Sequence, residues 1–155
     1  MIAYYFYRLG YFLSTRLPLK AGYAIATFLS IVKFYLSPRD RLAVIANLER
    51  ILPGHPPREI NRAAQRVFIN FGKYLIEFFR FKYLKKSDLN RYIKIKNLSY
   101  VEDALKKGKG VIILSAHMGN WELGGVFMAL LGYPLVAVAL PHRHPKVNEF
   151  FNHQR

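Results

Sequence analysis

Val111-Ile112-Ile113-Leu114-Ser115-Ala116-His117-Met118-Gly119-Asn120-Trp121-Glu122 is the stretch on which the reading of this chain turns. Its first four residues are β-branched or leucine without a break, which predicts a strand buried on both faces. A helix over 119–131 and a further strand over 135–140 follow from the same kind of patterning. Upstream, Tyr92-Ile93-Lys94-Ile95-Lys96 alternates with period two, as an outer strand with one wet face does, and 100–107 forms a short helix closed by Gly108. Strand, helix, strand, helix, strand is the alternation of a parallel or mixed α/β sheet with flanking helices. Pro145 then opens a last helix with Val147, Phe150 and Phe151 on its apolar side, and the chain stops at Arg155. Three strands with so little to cover them predict a truncated sheet, cut inside its domain.

The region before this sheet reads as helical. Residues 2–15 and 19–36 form two apolar helices separated at Pro18, and Tyr4, Tyr5, Tyr7, Tyr11, Tyr23 and Tyr35 supply the amphipathic rings favoured at a lipid headgroup boundary. The uncharged run from Ala21 to Val32 is short of the roughly 20 residues that span a bilayer, so these helices are expected to lie in the membrane interface, with two core helices of a soluble protein as the other reading. Arg8 and Arg16 interrupt the apolar residues, and no cleavage site follows, which excludes a signal peptide. The expected division is a membrane-associating helical segment over 1–38 and the first part of an incomplete α/β domain over 39–155.

A third helix is expected over about 39–51, between Ser37-Pro38 and Pro53-Gly54, and a long one over 58–83 after Pro56-Pro57. In the long helix Ile60, Ala64, Val67, Phe71, Leu75 and Phe78 keep a helical period. On its other side Arg62, Arg66, Lys73 and Arg80 fall within about 60° of one another. That stripe is either a solvated face or a binding surface.

The formal charge is +15, from 24 Lys and Arg against 9 Asp and Glu, which calls for a partner carrying negative charge. The excess is concentrated in residues 61–110, with 13 basic and 4 acidic residues, just upstream of the quoted stretch. The absence of cysteine excludes disulfide scaffolds, thiolate metal sites and thiol nucleophiles.

In open α/β sheets reactive groups gather where strands end and helices begin, which is where His117 and Glu122 are expected. Pure helix would set them about 140° apart. They meet only if His117 precedes the first turn and the chain bends at Gly119. A histidine held by a carboxylate is a general base of fixed orientation. If it takes a proton from a substrate hydroxyl, that oxygen attacks an activated acyl group directly, while N–H groups near Gly119 and Asn120 stabilise the oxyanion. The chemistry is then transfer, not hydrolysis.

The quoted stretch resembles the signature of the lipid A biosynthesis acyltransferase family, the lauroyl and myristoyl transferases related to glycerolipid acyltransferases. The full H-x-G-N-W-E form is far more specific than H-x-x-x-x-[DE] alone. The resemblance extends upstream through Asn47-Leu48, Gly72 and Glu77, and downstream to His142-Arg143-His144-Pro145-Lys146-Val147-Asn148. It implies transfer of a fatty acyl group from acyl carrier protein or acyl-CoA to a glycolipid hydroxyl at the cytoplasmic face of the inner membrane. It also implies His117 as base, Glu122 as its partner, Gly119 and Asn120 at the substrate, and Arg143 near the acceptor's phosphate or the donor. Arg155 falls in a third, weaker block. No cofactor and no metal are implied. Members of that family run to about twice this length, so the rest of the acyl pocket is expected outside this chain.

Two other classes compete. A metal-dependent hydrolase would gather His117, His142, His144 and His153 with Glu122, although no H-E-x-x-H spacing occurs. A non-catalytic basic protein binding nucleic acid or membrane would explain the charge, but no nucleic-acid fingerprint is present. A serine hydrolase fails because Ser115 lacks the flanking glycines of a nucleophile elbow, which leaves it as a strand-end hydroxyl.

Overall fold

A computed structural model describes residues 2–88, 91 and 93–155. Seven α-helices are formed among them: α1 (Ile2–Arg16), α2 (Leu19–Leu36), α3 (Pro38–Ile51), α4 (Pro57–Phe78), α5 (Ser99–Leu105), α6 (Trp121–Leu130) and α7 (Pro145–Gln154). Proline sits at the first position of α3, α4 and α7, where its missing N–H costs nothing. The chain divides into two compact units, 1–82 with 140–155, and 83–139.

The first unit is built around α2 and α4. Gly22, Ala26, Ser30 and Phe34 are buried at every fourth position of α2, and Ile60, Ala64 and Phe68 are buried at the same interval on α4. Rows of side chains four apart pack as ridges into grooves. At Gly72 the helices come so close that a Cβ would overlap Ser30 Oγ and stand 3.1 Å from the Ala26 carbonyl. Beyond this contact Phe34, Ala64 and Phe68 form a core that Val44, Ile45 and Leu48 of α3 complete.

This four-residue spacing corrects the face expected for the long helix. Val67 and Phe71 are exposed, because burial follows the α2 contact along Ile60, Ala64 and Phe68. The basic stripe also divides. Arg62 and Arg66 are exposed, whereas Lys73 Nζ lies 5.8 Å over the Tyr23 ring. Arg80 donates to the carbonyls of Ser14 and Leu17, satisfying the C-terminal end of α1. Tyr23 donates to Glu77 Oε1 at 2.6 Å, tying α2 to α4.

Aromatic rings join α1 and α7 to the end of α4. Phe78, Phe79, Phe150 and Phe151 are buried, with Phe78 and Phe151 stacked at 5.0 Å and Tyr7 edge-on to Phe151 at 5.1 Å. The apolar side expected for the last helix, Val147, Phe150 and Phe151, is the one it buries.

The second unit holds α5, α6 and the segments around them. Tyr133 donates to Glu102 Oε1 at 3.3 Å, which links α5 to the chain leaving α6. Desolvation, and then the Glu102 carboxylate, push the phenol of Tyr133 above its ordinary pKa.

The expected sheet is not formed: no strand occurs among the described residues, and 93–97, 110–118 and 133–142 have no regular secondary structure apart from isolated bends and turns. Tyr92, the first residue of the expected outer strand, lies outside the described residues. Ile112 is 98% and Leu114 96% exposed, and Val136, Val138 and Leu140 are exposed as well, so the run expected to be buried on both faces is buried on neither. The α/β class is therefore corrected to a helical architecture. A β-branched run favours an extended backbone, but a strand exists only through a ladder of hydrogen bonds to a neighbour. These segments make none with each other.

Candidate active site at the start of α6

The turn leading into α6 is shaped by two residues with left-handed backbone. Gly119 has φ +64° and His117 has φ 54°. Glycine adopts this region freely, whereas for histidine it costs about 1–2 kcal/mol. The bend expected at Gly119 is present, and a second bend lies at the histidine itself.

Local bonds hold His117 there. Its N–H donates to Ser115 Oγ at 3.2 Å, and Nδ1 lies 3.4 Å from the Ser115 carbonyl oxygen. The ring packs on Trp121 with centroids 4.6 Å apart and planes tilted by 45°. In the tautomer with its proton on Nδ1, the Ser115 carbonyl accepts that proton and Nε2 becomes the basic nitrogen. The imidazole is exposed.

Glu122 occupies the first turn of α6, half-buried, where the helix dipole favours a carboxylate. The recorded partners of the imidazole are Ser115 and Trp121, not this carboxylate. The histidine and the glutamate thus flank the same helix start. Ser115 contributes more than sequence reading assigned to it, since both of its oxygens address His117. Only the local turn, with the two donors in reach, reveals that role.

Asn120 is the N-cap. Its Oδ1 accepts the N–H of Leu123 at 3.0 Å, and the helix begins at Trp121, not at Gly119 as expected. The N–H groups expected near Gly119 and Asn120 therefore lie at a helix end that the Asn120 side chain caps. Removing the cap in Asn120→Ala is expected to destabilise the second unit by about 1 kcal/mol, read as a lowered denaturation midpoint with unchanged slope. An unaltered midpoint would remove Asn120 from the turn's support.

Arg143 belongs to the first unit, exposed in the turn before α7. That turn is pinned on either side of it. The His142 N–H donates to Asn148 Oδ1 at 2.9 Å, and the His142 ring lies 4.3 Å from that of Phe151. Arg155, at the end of α7, places its guanidinium 5.8 Å over the Phe78 ring. Among the described residues no three of His, Asp and Glu converge as metal ligands would, so the hydrolase alternative gains no geometric support.

Over its whole length the chain is similar to acyl-transferring proteins. The profile of the bacterial lipid A biosynthesis acyltransferase family matches residues 1–155, so the chain belongs to that family. A phosphatidylinositol mannoside acyltransferase of Mycolicibacterium smegmatis is 27% identical over 94 residues, covering 60% of this chain and 31% of its own length. The lipid A biosynthesis palmitoleoyltransferase of Escherichia coli is 26% identical over 110 residues, covering 71% of this chain and 35% of its own length. A lipid A biosynthesis acyltransferase of Shigella flexneri matches to the same extent. The matched segments thus span about a third of the length of these relatives. No solved structure matches it.

Proposed function

We propose that this chain contributes to transfer of a fatty acyl group, from a thioester of acyl carrier protein or coenzyme A, to a hydroxyl of a glycolipid at the cytoplasmic face of the inner membrane. The observation carrying this reading is the family match across residues 1–155, with His117-Met118-Gly119-Asn120-Trp121-Glu122 at a helix start. The similar lipid A and phosphatidylinositol mannoside acyltransferases favour a glycolipid acceptor of this kind.

In the reaction His117 Nε2 takes the proton of the acceptor hydroxyl, and the oxygen attacks the thioester carbonyl carbon. The tetrahedral oxyanion is stabilised at the N-terminal end of α6, beside Gly119 and Asn120. The C–S bond then breaks, the imidazolium returns its proton to the leaving thiolate, and an ester remains. Glu122 stabilises the imidazolium, and Arg143 meets a phosphate of the acceptor or donor.

Membrane association rests on α1 and α2. Tyr5, Phe6, Leu9, Phe12 and Leu13 are exposed along one arc of α1, and Ile25, Phe28, Leu29, Val32, Tyr35 and Leu36 along one arc of α2, each about 120° wide. The 18-residue α2 is long and apolar enough to cross a membrane by length and composition, near the lower end of the spanning range. Because its opposite face is buried on α4, we place it in the interface as part of a helical bundle.

The reading is tested by supplying labelled acyl carrier protein and acyl-CoA in parallel with a phosphorylated glycolipid acceptor and vesicles. Labelled glycolipid formed from either donor supports it, and the preferred donor is read from the rates. Absence of label from the lipid with both donors would overturn it.

A further inference from the structure

Arg8 from α1, Lys82 from the turn after α4, and Phe150, His153 and Gln154 from α7 enclose a groove on the first unit, with Tyr11 in its floor. A neighbouring pocket shares Arg8, Phe150 and His153 and adds Tyr4, Lys146 and the carboxylate of Glu149. The floor is aromatic, with Tyr11 edge-on to Phe150 at 6.0 Å. The rim is cationic. Lys82 Nζ lies 5.2 Å over the Tyr11 ring, and the Arg8 guanidinium lies 6.0 Å over Tyr4 while donating to its hydroxyl at 3.4 Å.

A second observation concerns a buried polar atom. Gln154 lines the groove, is only 6% exposed, and its Oε1 has no hydrogen-bond partner. A buried amide oxygen left without a donor is costly, and because Oε1 exposes almost no surface, a ligand hydroxyl satisfies it only when the Gln154 side chain turns into the groove. The setting supplies the third observation. At 100° per residue Tyr4 and Arg8 border the exposed arc of Tyr5, Leu9 and Phe12, so the groove opens beside an apolar face of α1.

We propose that this groove binds the hydroxylated phosphate headgroup of an anionic bilayer lipid. Arg8 and Lys82 take the phosphate, Gln154 accepts a headgroup hydroxyl, and the acyl chains continue along the apolar arc of α1. The site belongs to the first unit and the turn that holds His117 to the second, and the proposal rests on the membrane reading of α1.

The test binds the chain to phosphatidylcholine vesicles with and without phosphatidylglycerol. In parallel, the ring resonance of His153 is followed by NMR during titration with monomeric dihexanoyl phosphatidylglycerol, glycerol 3-phosphate and inorganic phosphate. The short-chain lipid is expected to shift His153 saturably, and the two free phosphates far more weakly. Arg8→Gln with Lys82→Gln is expected to reduce the preference for phosphatidylglycerol vesicles by more than about tenfold. Arg62→Gln with Arg66→Gln removes the same charge from α4 and is expected to reduce it much less. Equal losses in the two pairs would mean diffuse attraction and overturn the site. Equal saturation by the free phosphates would overturn the assignment to lipid. A saturable His153 shift without binding to any vesicle would instead overturn the membrane reading and keep the headgroup site.

Discussion

His117→Ala is expected to lower acyl-transfer turnover by about a hundredfold or more, the usual consequence of losing a general base, the role proposed for this residue. The expected loss is in kcat, with the helical content by circular dichroism unchanged, because the imidazole is exposed and no core residue leans on it apart from the half-buried Trp121. The residue is held at φ 54°, so removing its side chain does not impose new strain. His117→Gln is the stricter variant, since it keeps hydrogen-bonding capacity without the basic nitrogen. Turnover retained in both variants would place the base elsewhere and sink the role proposed for this turn. Glu122→Gln is expected to cost less, because in the proposed reaction the carboxylate stabilises the imidazolium without itself taking the proton.

The second large effect is on stability. Gly72→Leu is expected to destabilise the first unit by about 3 kcal/mol or more, the upper part of the range for overpacking a tight contact. The reason is geometric: even a Cβ at Gly72 overlaps Ser30 Oγ and approaches the Ala26 carbonyl to 3.1 Å, so α2 must move away from α4. Separation there also loosens Phe34 against Ala64 and Phe68, with centroids of Phe34 and Phe68 at 5.3 Å. Gly72→Ala should cost about 1–3 kcal/mol, and Ser30→Gly in the same chain should recover part of it, as a contact between coupled neighbours requires. Thermal or denaturant unfolding measures all three. A fully additive pair would deny the close approach.

The N-terminal helices were legible because their signals are local. Pro18, Ser37-Pro38 and Pro56-Pro57 punctuate the chain, and the observed helices begin at or next to the expected positions. The last helix was equally legible from Pro145 and its three apolar residues. The candidate site was legible in part: Gly119 does bend the chain, but the capping by Asn120 and the two bonds from His117 to Ser115 depend on coordinates and not on spacing. The face of α4 was misjudged at Val67 and Phe71, because a period of 3.6 does not say which of two adjacent apolar rows meets the neighbouring helix.

For His117 and Glu122, the sequence alone determined which residues stand together at a helix start, since capping residues, glycine bends and the H-x-G-N-W-E string act over a few positions. It could not determine what Val111 to Leu114 and Leu135 to Leu140 do. Their composition favours extended backbone, yet pairing is a relation between distant segments, and the tertiary structure leaves both without a ladder and largely exposed. The tertiary structure likewise decided that Gly22, Ala26 and Ser30 meet α4 at Gly72, and that Arg80 closes the end of α1 instead of facing solvent. Local stereochemistry is written residue by residue, whereas close approach, burial and pairing depend on which surfaces come together.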